Sequence, residues 1–183
     1  MKQIATVLLM IMVLSGSVFG EKFIVSISGN LLKPSDENYK KIYGDNVYYP
    51  DLKAGYHLVR DIYLWIGYAY SVENGKTPVL EEESKTTQHF LSSGAGYSGN
   101  LVGRMGYDVE LGVVHIRYRE EAMDAEFTGS KIGFQIGGAL NFKISQRLFA
   151  GFSTGYITAS DTVNDQSIKL GGFRVGLGIR IKF

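Results

Sequence analysis

Apolar and polar residues alternate along most of this chain. In the C-terminal segment GGFRVGLGIRIKF, apolar side chains occupy every second position from Phe173 to Phe183. A period of two is typical of a β-strand with one apolar face. Similar segments recur from residue 21 onwards, and none of them shows the convincing 3.6-residue period of an amphipathic helix. The pattern predicts an all-β protein with eight antiparallel strands.

The connections between the predicted strands alternate in length. Long polar segments follow the first, third, fifth and seventh strands, and short turns follow the others, so all long loops are expected at one end of an up-and-down meander. The segments KPSDENYKKIYGDN, ENGKTPVLEEESK and REEAMDAE are predicted to be polar loops. The segment TTQHFLSSGAGYS has the weakest strand pattern. In GRMGYDVELGVVHIRY the alternation changes phase at Val113–Val114, which predicts a β-bulge or a strand rising out of its layer.

The first 20 residues have the features of a secretory signal peptide. Lys2 supplies a positive charge, residues 4–14 form an apolar run, and Val18-Phe19-Gly20 offers a cleavage site before Glu21. The alternative is an uncleaved membrane anchor, but the run is shorter than the roughly 20 residues that a spanning helix needs. We therefore expect residues 1–20 to be a signal peptide and residues 21–183 to form one β-barrel domain.

Composition narrows the classes of function. The chain has 23 Gly, 12 Tyr, 10 Phe, no Cys and a formal net charge of +1. So small a charge gives no global basic field for nucleic acid, and without Cys there is no disulfide or thiolate metal site. The three His residues do not share metal-ligand spacing, and the glycine pattern GAGYSG lacks the following helix of a dinucleotide-binding turn. We expect no metal, no cofactor and no nucleic-acid partner.

The polar faces of the predicted strands distinguish two kinds of barrel. A soluble lipocalin-like barrel points its apolar face inward, whereas an outer-membrane barrel points it towards lipid. Glycine weakens a solvent-facing strand but makes room in the crowded lumen of an eight-stranded barrel. The glycines of the polar faces are Gly55, Gly67, Gly112, Gly133, Gly137, Gly151, Gly155, Gly176 and Gly178. The sequence therefore predicts an eight-stranded antiparallel up-and-down transmembrane β-barrel, and tyrosines near the strand ends agree with interfacial aromatic girdles.

Charged residues of both signs lie on the same polar faces, most of them at comparable heights above the short turns. Buried charges are tolerated when they are paired. We therefore expect a charge network in the lumen, formed by Asp51, Lys53, Asp108, Glu110, Arg174 and Arg180. His57 is assigned to the lumen as a structural residue near the short turns.

The C-terminal segment carries a family resemblance. Closing a barrel requires the last strand to pair with the first, and a terminal Phe preceded by alternating apolar residues resembles the signature that the barrel assembly machinery recognises in outer-membrane proteins. The corresponding residues are Val175, Leu177, Ile179, Ile181 and Phe183. The mature chain resembles the small eight-stranded family that includes outer membrane protein X and the membrane domain of outer membrane protein A. The resemblance implies a bacterial outer-membrane location, contact with lipid and lipopolysaccharide, and insertion by the assembly machinery; we expect a monomer.

Three functions fit such a barrel. The first is a non-enzymatic structural or surface-interaction role, with the charge network filling the lumen. The alternative is a narrow channel for ions or small solutes. The third is a lipid A-modifying enzyme, for which His89 with Ser92 or Ser93, or His115 with Glu120, are the candidate pairs. We expect no catalytic site, since neither pair lies in a recognisable motif.

Overall fold

A computed structural model describes residues 22–78, 81–122, 125–163 and 166–183. The predicted signal peptide lies outside these residues. Eight of the strands form a closed barrel, which confirms the predicted fold class. The elements are β1 (Phe23–Pro34), α1 (Glu37–Tyr43), β2 (Val47–His57), β3 (Ile62–Lys76), β4 (Glu83–Asn100), β5 (Met105–Ala122), β6 (Ala125–Lys143), β7 (Leu148–Thr158), β8 (Ser160–Val163), β9 (Gln166–Lys169) and β10 (Gly172–Lys182).

The barrel closes where the last strand meets the first. The strand order is β1-β10-β7-β6-β5-β4-β3-β2, and each neighbouring pair is antiparallel. At the seam Ile27 lies opposite Ile179, and the Phe183 amide donates a hydrogen bond to the Phe23 carbonyl at 2.8 Å. Every barrel strand therefore has two partners, and no edge is left unpaired in lipid. The small β8–β9 hairpin lies outside the barrel, in the connection from β7 to β10.

The two ends of the barrel differ. Short turns at residues 58–61, 101–104 and 144–147 lie at the same end as Phe23 and Phe183, which we call the inner end. In one of these turns Gly103 has a φ of 61°, a left-handed conformation that favours glycine. The opposite, outer end carries α1, the β8–β9 hairpin and the extended β3–β4 and β5–β6 hairpins. In small outer-membrane barrels the short turns face the periplasm.

The ends of two predicted loops are instead strand. β3 continues to Lys76 and β4 begins at Glu83, while β5 continues to Ala122 and β6 begins at Ala125. The prediction was wrong because it treated runs of charge as loops. Backbone pairing continues through these segments, for instance between Glu121 and Glu126, although their side chains gain little apolar burial.

The first long connection contains a helix that the sequence pattern did not indicate. The side chain of Asp36 caps α1 by accepting hydrogen bonds from the amides of Asn38 at 2.9 Å and Tyr39 at 3.0 Å. Gly44, with a φ of 93°, ends the helix. A helix of seven residues spans about two turns, which is too short to show an apolar period.

The phase change in β5 does not arise from a bulge. The β4–β5 and β5–β6 registers run without interruption past Val113 and Val114. Side chains continue to alternate strictly between the lumen and the outer surface; what changes is the environment. Below this height Glu110 faces inward, whereas above it the buried side chains are Val114 and Ile116.

The barrel therefore has two layers of opposite character. Towards the inner end its lumen is polar and its outer surface apolar; the exposed outward residues of this surface, the lipid belt, include Ile27, Leu52, Leu64, Ile66, Leu91, Leu111, Ile132, Phe134, Ile136, Leu140, Phe152, Leu177 and Ile179. Towards the outer end the lumen is apolar; the buried residues of this outer core are Leu32, Val47, Tyr49, Ala69, Phe90, Val114, Ile116, Tyr118, Ile157 and Leu170. Among the described residues, no helix is long and apolar enough to cross a membrane.

Candidate functional site: the luminal charges and the outer rim

Lys53 and Glu110 form an ion pair inside the barrel. The Lys53 ammonium contacts Glu110 Oε2, and the hydroxyl of Tyr63 donates a hydrogen bond to Glu110 Oε1 at 2.8 Å. The same ammonium lies 4.7 Å from the centre of the Trp65 ring. Both oxygens of the carboxylate are therefore satisfied, as a buried charge requires.

Asp108 and Arg180 form a second pair, closer to the inner end. Arg180 Nη1 lies 2.5 Å from Asp108 Oδ2, and both side chains are buried. The amide of Asn141 also donates to Oδ2, and the hydroxyl of Ser98 donates to Oδ1 at 2.7 Å. Asp108 thus accepts hydrogen bonds from three different strands and joins β4, β6 and β10 to β5.

Asp51 and Arg174 lie near the first pair without forming an ion pair of their own in the described part of the chain. Both residues line a cavity of about 70 Å³, together with Lys53, Glu110 and Arg180. A volume of this size holds a few water molecules. The structure therefore brings five of the six predicted residues to one cavity, and Asp108 contacts it through Arg180.

Glycines on β4 and β5 make room for the aromatic rings beside these charges. A Cβ atom on Gly96 would overlap the ring of Tyr63, and one on Gly94 or Gly112 would lie 2.8 or 2.7 Å from the Trp65 ring. Gly94 and Gly96 belong to the dinucleotide-like pattern noted in the sequence. Here they lie within a strand, and because they have no side chains they leave room for the rings of Trp65 and Tyr63. The Tyr63 hydroxyl can therefore reach Glu110.

The outer core lies across the lumen above the charges. Its Ile116 and Val114 are 0% and 1% exposed, and the rings of Tyr49 and Phe90 stack at 5.7 Å. Since side chains from six barrel strands contribute, this apolar layer spans the interior. Ions that entered the polar part from the inner end would meet it before reaching the outer end.

The outer rim is held to the barrel by specific polar contacts. The hydroxyl of Tyr43, in α1, lies 2.5 Å from Ser84 Oγ and donates to Glu120 Oε1 at 2.8 Å. Burial raises the pKa of Tyr43 well above its ordinary value, so the hydroxyl stays protonated and remains a donor. Asp36 Oδ2 accepts a hydrogen bond from the Lys169 amide at 2.9 Å, which fixes the β8–β9 hairpin to the start of α1.

A cleft of about 1040 Å³ opens at this rim between α1 and the two long hairpins. Cations and anions both line it, among them Lys41, Lys76 and Glu83. Arg119 pairs with Glu121 of the same strand at 2.9 Å and with Glu126 across the β5–β6 hairpin at 2.8 Å. The rim is therefore a charged surface of mixed sign.

The predicted C-terminal signature lies on the lipid-facing side of the barrel. Its members are on the outward face of β10 or directly after it, where Leu177 and Ile179 are exposed. Phe183 follows β10 at the inner end, and its ring centre lies 6.4 Å from that of Phe23. The residues are thus arranged as one apolar stripe at the closing seam.

The candidate catalytic pairs are not brought together. His89 faces outward and Ser92 inward on β4, whereas Ser93 is on the outward face but four residues, about 13 Å, further along the strand. The His89 ring instead lies 2.8 Å from the Tyr68 hydroxyl. His115 and Glu120 occupy opposite faces of β5. Within the described residues no His, Asp or Glu cluster is suited to hold a metal ion.

Sequence reasoning did not find Tyr63, Asn141 or Ser98 as partners of the luminal charges. Alternation places all three on inward faces, but which inward residues touch depends on strand stagger, which no local pattern reports. The outer core was missed for a related reason: the inversion in β5 was interpreted as a backbone irregularity.

Comparisons with known proteins agree with this architecture. No family model and no curated protein sequence matches the chain. Among solved structures, Neisserial surface protein A is similar with a TM-score of 0.70 and 12% identity, over 88% of this chain and 97% of that one. The attachment invasion locus protein of Yersinia pestis follows with a TM-score of 0.57 and 18% identity, over 88% and 99%. The N-terminal barrel domain of Pseudomonas aeruginosa OprF gives 0.53 and 16%, over 90% and 100%.

These identities establish a shared fold and nothing finer. The fold is that of small eight-stranded outer-membrane barrels, as the sequence predicted. The lipid belt supplies the independent physical argument, because a surface so rich in exposed Ile, Leu and Phe is stable only against lipid. The chain is therefore an outer-membrane β-barrel protein.

Proposed function

We propose that this chain is a non-enzymatic, monomeric barrel with a structural and surface-interaction role, and that its lumen is closed. The observation that carries the proposal is that side chains fill the lumen in two layers of different character. Paired charges fill the inner part, and the outer core fills the part above them. Function then belongs to the outer surfaces of the barrel.

These two layers also argue against a narrow channel. The luminal cavity beside the charges measures only about 70 Å³, and the apolar layer above it offers no polar groups to replace the hydration shell of an ion. Conduction would require the outer core to open, at the cost of exposing side chains such as Ile116 and Phe90.

Conductance in a planar lipid bilayer tests this proposal. The mature protein is refolded, its heat-modifiable migration on a gel is checked, and it is then inserted at known density. A folded barrel that produces no discrete current steps is the expected result. Reproducible steps of fixed size would contradict the closed lumen and support the channel.

The surface-interaction part of the proposal is supported by cations above the lipid belt. Arg117 and Lys85 point outward on β5 and β4, four and six residues beyond Val113 and Leu91, the last exposed apolar residues of these faces. The phosphates of lipopolysaccharide lie on this side of the lipid belt, and cations bind phosphate. Lys85→Gln with Arg117→Gln is expected to weaken lipopolysaccharide binding in detergent. Arg60→Gln with Arg147→Gln removes the same charge at the inner end, and an equal loss there would contradict the assignment.

The proposal includes recognition of the C-terminal stripe by the assembly machinery. Phe183→Ala is expected to lower the amount of folded barrel in cells several-fold, while unaided refolding into detergent changes little. Phe142→Ala removes another exposed aromatic residue near the inner end and serves as the matched control. If both variants assemble equally well, Phe183 is not part of a recognition signal.

A further inference from the structure

The inner end of the barrel opens into a vestibule of about 740 Å³. Its lining includes five cationic side chains on the turns and strand ends: Lys22, Arg60, Arg104, Lys143 and Lys182. The lining carboxylates are Asp61 and Asp108, and Asp108 is already engaged by Arg180. The chain as a whole is nearly neutral, so this local excess of positive charge is a property of the vestibule.

Two buried donors at the base of the vestibule lack partners within the described structure. His57 and Arg180 are each 8% exposed and line the vestibule. Nδ1 of His57 and Nε of Arg180 make no hydrogen bond with described residues, although Arg180 Nη1 is bound to Asp108. A buried polar atom without a partner is costly, so a ligand whose oxygens reached either atom after a small side-chain movement would be stabilised here.

The remaining contacts of His57 and Arg180 fix their positions. The His57 ring packs against Tyr63 with centres 5.4 Å apart, and the Arg180 guanidinium is held by its pair with Asp108. The His57 ring and the Arg180 guanidinium at the base are therefore held by protein contacts, whereas Lys22, Arg60, Arg104 and Lys143 at the mouth are exposed. Donors below and exposed cations above suit a compact anion with several acceptor oxygens.

We propose that the inner vestibule binds a phosphate group. Arg104, Lys143 and Lys22 neutralise its charge at the mouth. From below, His57 Nδ1, in the tautomer that carries its proton there, and Arg180 Nε donate hydrogen bonds once a small side-chain movement uncovers them. The group is either the headgroup phosphate of an anionic phospholipid in the adjacent leaflet or a free phosphate, since both offer the same oxygens.

The test uses the full mature chain refolded in a neutral detergent. One arm measures retention of short-chain phosphatidylglycerol relative to phosphatidylcholine by native mass spectrometry. The other measures line broadening of inorganic phosphate in phosphorus NMR. Arg104→Gln with Lys143→Gln is expected to weaken binding about tenfold or more, because each cation contributes to the attraction of an anionic group. Both residues are exposed, so the barrel is expected to fold.

Controls separate this site from general electrostatics. Lys41→Gln with Lys76→Gln removes the same charge at the outer rim and is expected to leave binding within about twofold, at the moderate ionic strength that screens distant charges. His57→Phe keeps a ring against Tyr63 but removes the donor, and is expected to weaken binding several-fold.

The two probes distinguish the sources of the phosphate group. Binding of phosphatidylglycerol alone assigns the site to a lipid headgroup, binding of inorganic phosphate alone assigns it to free phosphate, and binding of both assigns it to the phosphate group shared by the two. The proposal is overturned if neither probe binds, if the outer-rim control loses as much as the vestibule variant, or if His57→Phe binds as tightly as the original chain.

Discussion

At the residue scale, the polar part of the lumen depends on matched charges. Glu110 is buried and satisfied by Lys53 and Tyr63, and Asp108 by Arg180 and two neutral donors. Removing one partner of a buried ion pair leaves the other charge buried and uncompensated, which strongly destabilises the fold. Replacing both partners by apolar residues of similar volume costs much less. The luminal charges are therefore sensitive to single substitutions.

Glu110→Gln is expected to lower the free energy of unfolding by about 3 kcal/mol, because the Lys53 ammonium would remain buried without a counter-charge. Urea unfolding in lipid vesicles measures the change. Glu121→Gln is the matched control: its pair with Arg119 is exposed, so the loss is expected to stay near 0.5 kcal/mol. Equal losses in the two variants would contradict the structural role of the buried pair.

Gly96→Ala is expected to destabilise the barrel by about 2 kcal/mol, because the added methyl group would overlap the Tyr63 ring and force its hydroxyl away from Glu110. Gly29→Ala provides the comparison, since a Cβ there meets nothing within 4 Å and points towards lipid. It is expected to be neutral or slightly stabilising. The free energy of unfolding of both variants is measured by urea unfolding in lipid vesicles.

Residue facing was largely predictable from the sequence, whereas residue contacts were not. Alternation placed Lys53, Glu110 and Arg180 in the lumen because the side-chain period of a strand is two. It did not indicate that Lys53 pairs with Glu110 and Asp108 with Arg180, since that choice depends on the stagger of strands far apart in the chain. For the same reason the sequence did not indicate that Gly96 leaves room for the Tyr63 ring.

At the element scale, the outer end is organised by short pieces of structure attached to long strands. α1 and the β8–β9 hairpin meet at Asp36, which accepts amide hydrogen bonds from both. Tyr43 then fixes the end of the helix to β4 and β5. A seven-residue helix is not stable alone, so these contacts determine whether it forms.

Asp36→Ala is expected to destabilise this outer structure locally by about 1 kcal/mol or more, because the helix loses its N-cap and the hairpin loses its attachment. Hydrogen exchange at the amides of Tyr39 and Lys169 is expected to accelerate, while urea unfolding of the barrel is unchanged. Asp45→Ala changes an exposed acidic residue beyond the helix and serves as the control. Unchanged exchange at both amides would show that Asp36 does not organise the rim.

The element boundaries show where sequence patterns lose information. Strands in contact with lipid were recognised because lipid imposes an apolar face on them. The charged extensions of β3 to β6 were predicted as loops because neither of their faces carries a regular series of apolar side chains, and backbone pairing keeps them extended. In β5 the inversion between Glu110 and Val114 marks the height at which the outer surface passes from lipid to water.

At the scale of the whole molecule, the same strands form two layers. The inner layer resembles an outer-membrane barrel, with an apolar outer surface and a polar lumen, and the outer layer resembles a small water-soluble barrel, with an apolar interior. The inner layer is stabilised by ion pairs and external lipid, and the outer core by internal apolar packing. Glu110 and Ile116 lie on the same strand, six residues or about 20 Å apart. Lys53 and Tyr63, the described partners of Glu110, are not members of the outer core.

Additivity of variants tests this separation. Ile116→Ala alone is expected to cost about 3 kcal/mol, because its side chain is fully buried in the outer core. Combined with Glu110→Gln, the two losses are expected to add to within about 0.5 kcal/mol, as for distant, independent sites. A coupling larger than 1 kcal/mol, measured by urea unfolding of all four proteins, would contradict two independent layers.

The junction of Phe23 with Phe183 has a practical consequence for engineering. Both ends of the described barrel are on its inner side, so a reporter fused ahead of Phe23 would be delivered to the periplasm, whereas one fused after Phe183 would extend the proposed assembly signature. An epitope meant for display on the cell exterior has to be inserted within a hairpin at the opposite side. Because the two ends are adjacent, a short linker could join them in a barrel refolded in vitro, where the proposed C-terminal signature is not needed. New ends could then be opened in an outer hairpin, turning an internal connection into an exterior fusion point.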